Sequence, residues 1–176
     1  MRIIAGSIKG RRIQSPPSDD QSIRPTSDRA REALFSILQA WPQGAFLDLF
    51  AGTGAVGLEA WSRGYTPVTC VEKDGQACGL AKLNARGTDV QVLQKDATRL
   101  DAKAFRDLAL VFGDPPYLNS REQFLHLAPR IRAWMAPGGI LVWETEQREE
   151  LPVPMGWLAV DSRRYGAARF HFFQVG

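Results

Sequence analysis

Five short apolar runs, at 45–50, 68–72, 90–93, 108–112 and 140–144, are separated by polar or helix-patterned stretches. Runs of this length, rich in Val, Leu, Ile and Phe and bounded by turn residues, read as strands buried on both faces. Strands joined through helices pair as parallel neighbours, with right-handed crossovers. The pattern therefore predicts an α/β fold on a mostly parallel sheet. One helix is expected from Ser27 or Asp28 to about Gln39, where Ala30, Leu34, Ile37 and Leu38 recur at helical spacing. Others are expected over 55–62, 76–86 and 124–135, with Pro137-Gly138-Gly139 stopping the last. Two strand-like runs follow, 157–161 and 169–175. The turn between them, near Tyr165-Gly166, is too short for a helical crossover, so that pair must be antiparallel.

At 176 residues and 44% hydrophobic, the chain is one ordinary domain able to bury a core. Its net charge is +3, but the distribution matters more. Arg2, Lys9, Arg11 and Arg12 all precede the first acidic residue, Asp19. That patch suits a phosphate backbone; its alternative is a solvated charged edge. Residues 1–13 alternate around Ile3, Ile4, Ile8 and Ile13, with Gly6 and Gly10 as punctuation, and predict a small hairpin. A polar loop with Pro16, Pro17 and Pro25 follows. Cys70 and Cys78 fit no metal spacing and are expected as reduced thiols. No stretch approaches ~18 apolar residues and no hydrophobic signal region opens the chain. A soluble cytoplasmic protein without metal or membrane partner is expected.

Two segments carry chemistry. Asp114-Pro115-Pro116-Tyr117 follows the run Leu108-Ala109-Leu110-Val111-Phe112. A Pro-Pro pair cannot continue a sheet, so a carboxylate, two rigid carbonyls and an aromatic ring arrive together at a strand's carboxyl end. Ligands bind there in open α/β sheets. Asp114 and the Pro115 carbonyl can accept both hydrogens of an exocyclic NH₂ while Tyr117 covers the ring face. The competing reading is a Pro-rich turn capped by Asp. The second segment, Asp48-Leu49-Phe50-Ala51-Gly52-Thr53-Gly54-Ala55-Val56-Gly57, places a G-x-G-x-x-G between a strand and a helix, with Glu72 ending the next strand. A dinucleotide site uses the same glycines, and Glu72 would bond ribose hydroxyls in either case. Asp48 would repel a pyrophosphate but suits a cation, and Asp96 adds a carboxylate to the same rim. S-adenosylmethionine, with an ammonium and a sulfonium, fits that rim better than NAD.

Together these segments resemble class I S-adenosylmethionine-dependent methyltransferases acting on exocyclic amines. Met1-Arg2-Ile3-Ile4-Ala5-Gly6, Lys9-Gly10-Arg11-Arg12 and Arg24-Pro25-Thr26-Ser27-Asp28-Arg29-Ala30-Arg31-Glu32-Ala33-Leu34-Phe35 are similar to the RsmD family. The resemblance spans nearly the whole chain. It implies methylation of guanine N2 in bacterial 16S ribosomal RNA, within the small subunit or an assembly intermediate, by a monomer. It also implies a Rossmann-like domain at 26–176, with its mostly parallel sheet and antiparallel C-terminal strand pair, preceded by a basic hairpin and loop at 1–25. Gly113 departs from the family pattern, standing where a bulky apolar residue is usual, and the segment after Tyr117 is short.

By the resemblance, Asp114, Pro115, Pro116 and Tyr117 are catalytic. Asp48, Phe50, Ala51, Gly52, Thr53, Gly54, Glu72 and Lys73 bind cofactor, with Glu72 on the ribose and Asp96 with Ala97 on the adenine edge. Arg24 and Thr26 fold over the cofactor; Arg24 suits either its carboxylate or an RNA phosphate. Arg2, Lys9, Arg11, Arg12 and Tyr165 contact RNA. Related motifs also serve DNA adenine and protein glutamine amides, although little of this chain is left for a DNA target-recognition domain. An NAD oxidoreductase would leave Asp114 to Tyr117 without a role. A non-catalytic RNA-binding factor would not need them intact.

Overall fold

The computed structural model describes residues 1–15 and 28–176. Among these residues the strands β1 (Ala45–Asp48), β2 (Val68–Glu72), β3 (Gln91–Gln94), β4 (Leu108–Gly113), β5 (Met135–Glu146), β6 (Trp157–Tyr165) and β7 (Ala168–Val175) form one sheet. Its order is β3-β2-β1-β4-β5-β7-β6. Strands β1 to β5 pair in parallel, and β7 runs antiparallel between β5 and β6. The helices are α1 (Asp28–Leu38), α2 (Ala55–Ser62), α3 (Gly75–Asn84) and α4 (Ser120–Trp134). None of the described helices is long and apolar enough to cross a membrane.

Period-two alternation divides the strand side chains between two cores. Phe46, Leu110, Phe112, Ile140 and Val142 pack with Leu34 and Phe35 of α1 and Leu58 of α2. Their neighbours Leu47, Val111, Leu141 and Trp143 point the other way, onto Phe124, Leu127 and Ile131 of α4. Each large apolar side chain so buried contributes about 1.5–3 kcal/mol. Both faces of the central strands are therefore covered, which leaves the strand ends as the place for a site.

The structure departs from expectation in two places. Helix α4 begins at Ser120 and carries Pro129 on its exposed face. Pro137-Gly138-Gly139 does not separate helix from strand. The helix ends because Met135 takes an extended conformation, and Met135 already pairs with Leu108. The register then shifts so that Leu110 meets Ile140, and residues 136–139 bulge out between the two pairs. A Cβ on Gly139 would sit 2.7 Å from the Leu108 carbonyl oxygen, so glycine is what allows this approach. The amino-terminal segment forms the small hairpin expected of it: Arg2 bridges Arg12, and the Ile3, Gly10 and Ile13 amides donate to the Arg11, Ile3 and Met1 carbonyls at 2.9, 2.9 and 3.0 Å. Ile3 and Ile13 are 1% and 5% exposed and belong to the core. The Ile4 and Ala5 amides donate to the Glu59 carboxylate of α2, at 2.8 and 3.1 Å. The hairpin is thus a strap held on α2.

Candidate active site

From β1 the chain crosses to β2 on one side, while β4 pairs on the other, so the strand order reverses between β1 and β4. A crevice opens outside the carboxyl ends of two strands at such a switch point. Here it is a cavity of about 1030 Å³ whose walls include Asp48, Gly52, Glu72, Asp96, Asp114 and Tyr117. Both predicted segments meet in it, although they are far apart in sequence.

The glycine turn forms one wall. Gly52 and Gly54 have φ of 53° and 80°, left-handed values that glycine adopts without strain. The Gly52 amide donates to Glu72 Oε2 at 2.8 Å, and the Asp74 amide donates to Oε1 at 2.8 Å. Glu72 is therefore aimed by two backbone donors and keeps lone pairs for ligand hydroxyls. Asn84 steadies the turn from behind. Its Nδ2 donates to the carbonyls of Thr53 and Gln14, both at 3.0 Å, and its Oδ1 accepts from the Gln14 amide at 2.9 Å. Asp96 caps a 3₁₀ turn, with Oδ1 accepting from the Thr98 amide and hydroxyl at 2.9 and 2.7 Å. The Thr98 hydroxyl is the main reason its carboxyl lies below the usual range. Ala97 is buried beside it, and Lys73 is exposed at the rim. Phe50 stands edge-on to Trp143, with ring centroids 5.8 Å apart.

Asp48 is 1% exposed, and neither of its oxygens receives a hydrogen bond of ordinary geometry. Burial, followed by the Asp114 charge, pushes its carboxyl up to about 8; the Phe50 and Gly57 amides offset this only in part. A buried acceptor without a donor is costly. An organic cation brought against it, with hydroxyls reaching Glu72, would remove that cost, whereas a pyrophosphate would add to it. The residues present therefore fit S-adenosylmethionine.

On the facing wall Asp114 follows β4, with Pro115 buried and Pro116 exposed. Tyr117 opens a 3₁₀ turn, and its hydroxyl donates to Glu144 Oε1 at 3.3 Å. Gly113 pairs with Trp143 across the sheet, and a Cβ on Gly113 would collide with the Trp143 ring. The indole thus fills the space that a larger residue at 113 would take. Tyr165 and Arg164 reach the cavity from the β6–β7 turn, and Tyr165 lies 6.0 Å from Phe170, centroid to centroid. Arg2, Lys9 and Arg12 are exposed on the strap. Arg11 is not a free surface charge: its Nη2 donates to the carbonyls of Asn84 and Arg86 at 2.8 and 2.6 Å. Arg24 and Thr26 lie outside the described residues.

Sequence reading missed Glu144 and Gln123, which also line the cavity. Glu144 closes the apolar part of β5 as Asp114 follows that of β4, and that parallel was the available signal.

The family model described as conserved hypothetical protein 95 matches residues 1–174. Ribosomal RNA small subunit methyltransferase D of Escherichia coli K12 is 33% identical, over 99% of this chain and 89% of its own length. Its namesake in Haemophilus influenzae is 31% identical, over 99% and 93%. Among solved structures, the Escherichia coli protein yhhF superposes with a TM-score of 0.84 at 30% identity, covering 99% of this chain and 97% of its own. An RNA methyltransferase from Salinibacter ruber, solved with S-adenosyl-L-homocysteine, shares the fold at a TM-score of 0.66 and 17% identity, covering 86% and 94%.

Proposed function

The chain belongs to the conserved hypothetical protein 95 family, that of the RsmD ribosomal RNA methyltransferases, and from that premise we propose how its site acts. It is an S-adenosylmethionine-dependent enzyme that methylates 16S ribosomal RNA, at the exocyclic N2 amine of a guanine. The observation that carries this is one cavity lined both by a buried Asp48 without an ordinary donor and by Asp114 and Pro115 at the end of β4. Bound there, the cofactor supplies a methyl group already activated on a sulfonium.

The chain's own residues position the reactants. Asp48 would take up positive charge, Glu72 would hold the ribose hydroxyls and Asp96 with Ala97 the adenine edge; the backbone of 50–54, together with Lys73, would hold the methionine portion. Asp114 and the Pro115 carbonyl hold the amine hydrogens, which turns the nitrogen lone pair toward the methyl. Pro116 stiffens this presentation, and Tyr117 stacks on the base. The guanine amine is a poor nucleophile, so most of the rate comes from positioning. The proton leaves to Asp114 or to solvent. The target base must leave its stack or lie in a loop to enter. Arg2, Lys9 and Arg12, with Tyr165 at the mouth, grip RNA phosphates and orient the substrate. The partner is the small subunit or an assembly intermediate, met in the cytoplasm by a monomer.

The test is mass spectrometry of 16S ribosomal RNA from cells lacking the protein, where one N2-methylguanine should be missing. Complementation with Asp114→Ala should not restore it, and Asp114→Asn, which keeps an acceptor oxygen, should restore it in part. Full restoration by Asp114→Ala would remove the motif from the mechanism.

A further inference from the structure

Every exocyclic amine that such a site can methylate has a neighbouring atom, and that neighbour differs among substrates. Beside N6 of adenine lies the ring acceptor N1, and beside N4 of cytosine the ring acceptor N3. Beside the glutamine amide nitrogen lies a carbonyl oxygen. Guanine alone places a donor, N1–H, next to its amine. A carboxylate alongside the amine-binding pair therefore favours guanine and meets the other three lone pair to lone pair.

Glu144 stands in that position. In the β4–β5 register Gly113 pairs with Trp143, so Asp114 and Glu144 each lie one residue further along adjacent parallel strands. Both line the same cavity. Glu144 is 4% exposed, and its Oε1 accepts from the Tyr117 hydroxyl at 3.3 Å, within the same motif that receives the amine. Its strand is fixed on both sides, by β4 and by β7, and its carbonyl accepts from Ser120 Oγ at 3.1 Å. The carboxylate is thus held on a rigid element beside the reacting group.

We propose that Glu144 is the specificity-determining residue of this site: its carboxylate accepts the N1–H of the target guanine while Asp114 and Pro115 hold the N2 amine. The assignment rests on the methyltransferase function proposed above and extends it to base choice. Accepting the N1–H makes Glu144 a reader of the base and no carrier of the reaction's proton.

The test replaces the target guanosine, once located, with 2-aminopurine riboside in ligated 16S ribosomal RNA assembled into small subunits. That base keeps the amine but has an acceptor at N1 and no O6. Methyl transfer to both substrates is followed for the wild type, Glu144→Gln and Glu144→Ala. Gln keeps an oxygen for the Tyr117 hydroxyl and offers an NH₂ to the 2-aminopurine N1. The wild type is expected to prefer guanosine by roughly 10- to 100-fold in kcat/KM, the range of a charge-assisted hydrogen bond. Glu144→Gln should bring that ratio to within about threefold of unity, largely by raising 2-aminopurine. Glu144→Ala should lose guanosine activity without gaining 2-aminopurine. S-adenosylhomocysteine affinity should be unchanged in both variants, which reports an intact fold. A guanosine to 2-aminopurine ratio unchanged from wild type in Glu144→Gln overturns the assignment while leaving the methyltransferase function standing. A wild-type enzyme that methylates no guanosine N2 takes both down.

Discussion

Ionising a carboxyl that is 1% exposed and lacks an ordinary donor is costly, and Asp48 bears that cost only when folded. On the function proposed above, cofactor binding places positive charge against Asp48 and should therefore expel its proton near neutral pH. The calorimetric heat of S-adenosylmethionine binding should then vary with the ionisation enthalpy of the buffer. In Asp48→Asn that dependence should vanish and affinity fall at least tenfold, about 1.4 kcal/mol. A second residue-scale prediction concerns Gly113, where any Cβ meets the Trp143 ring. Gly113→Val should destabilise by about 1–3 kcal/mol through overpacking. Adding Trp143→Leu should recover part of the loss, a coupling that a double-mutant cycle of thermal melts reads directly. The glycine was visible in the sequence as a departure from the family pattern. Its partner was not, because position 143 touches position 113 only once β4 and β5 pair.

At the scale of elements, the amino-terminal strap shows that a charge count does not separate surface charges from structural ones. Four basic residues in twelve read as one phosphate-binding patch, yet Arg11 is engaged by two carbonyls around the end of α3. Arg11→Ala should lower the melting temperature by a few degrees, at roughly 0.5–1.5 kcal/mol for each hydrogen bond lost. A triple Arg2, Lys9, Arg12 to Ala variant should melt like the wild type. It should bind RNA with a shallower salt dependence, by about 0.7–0.9 in log–log slope for each phosphate no longer neutralised. Filter binding over a salt series separates the two effects. Strand and helix identities were legible because local periodicity carries them; α2 and β2 keep the expected bounds. The bulge at 136–139 was not, since it arises from the register against Leu108 and Leu110. Glu144 was hidden for the same reason: a charge at one strand's end becomes part of a site only when a neighbouring strand delivers its partner.

For the whole molecule, two buried groups titrate in opposite senses across the accessible pH range. Asp48 is raised from 3.8 to about 8, so between those values the native chain holds a proton that the unfolded chain has released. Stability from this group falls as pH rises through the window. His171, bonded to Thr145 Oγ1 at 2.9 Å, is lowered from 6.5 to about 4, by burial first and then by Arg169. There the unfolded chain binds the extra proton, and stability falls as pH drops. Between about pH 4 and 6.5 the two slopes cancel, and above 6.5 only that of Asp48 remains. Thermal melts without cofactor should show a plateau up to about pH 6.5, then a decline on the order of 2 kcal/mol by pH 8. Asp48→Asn should abolish the decline.

The Asn84 side chain joins Gln14 to Thr53 across 70 and 31 residues of sequence, so the strap and the glycine turn share one fastening. A ligand that stiffens the turn must then also slow opening at Gln14, which shares the Asn84 amide with Thr53. The exchange rate of the Gln14 amide with deuterium becomes a gauge of cofactor occupancy, readable at the amino terminus without a label near the reaction.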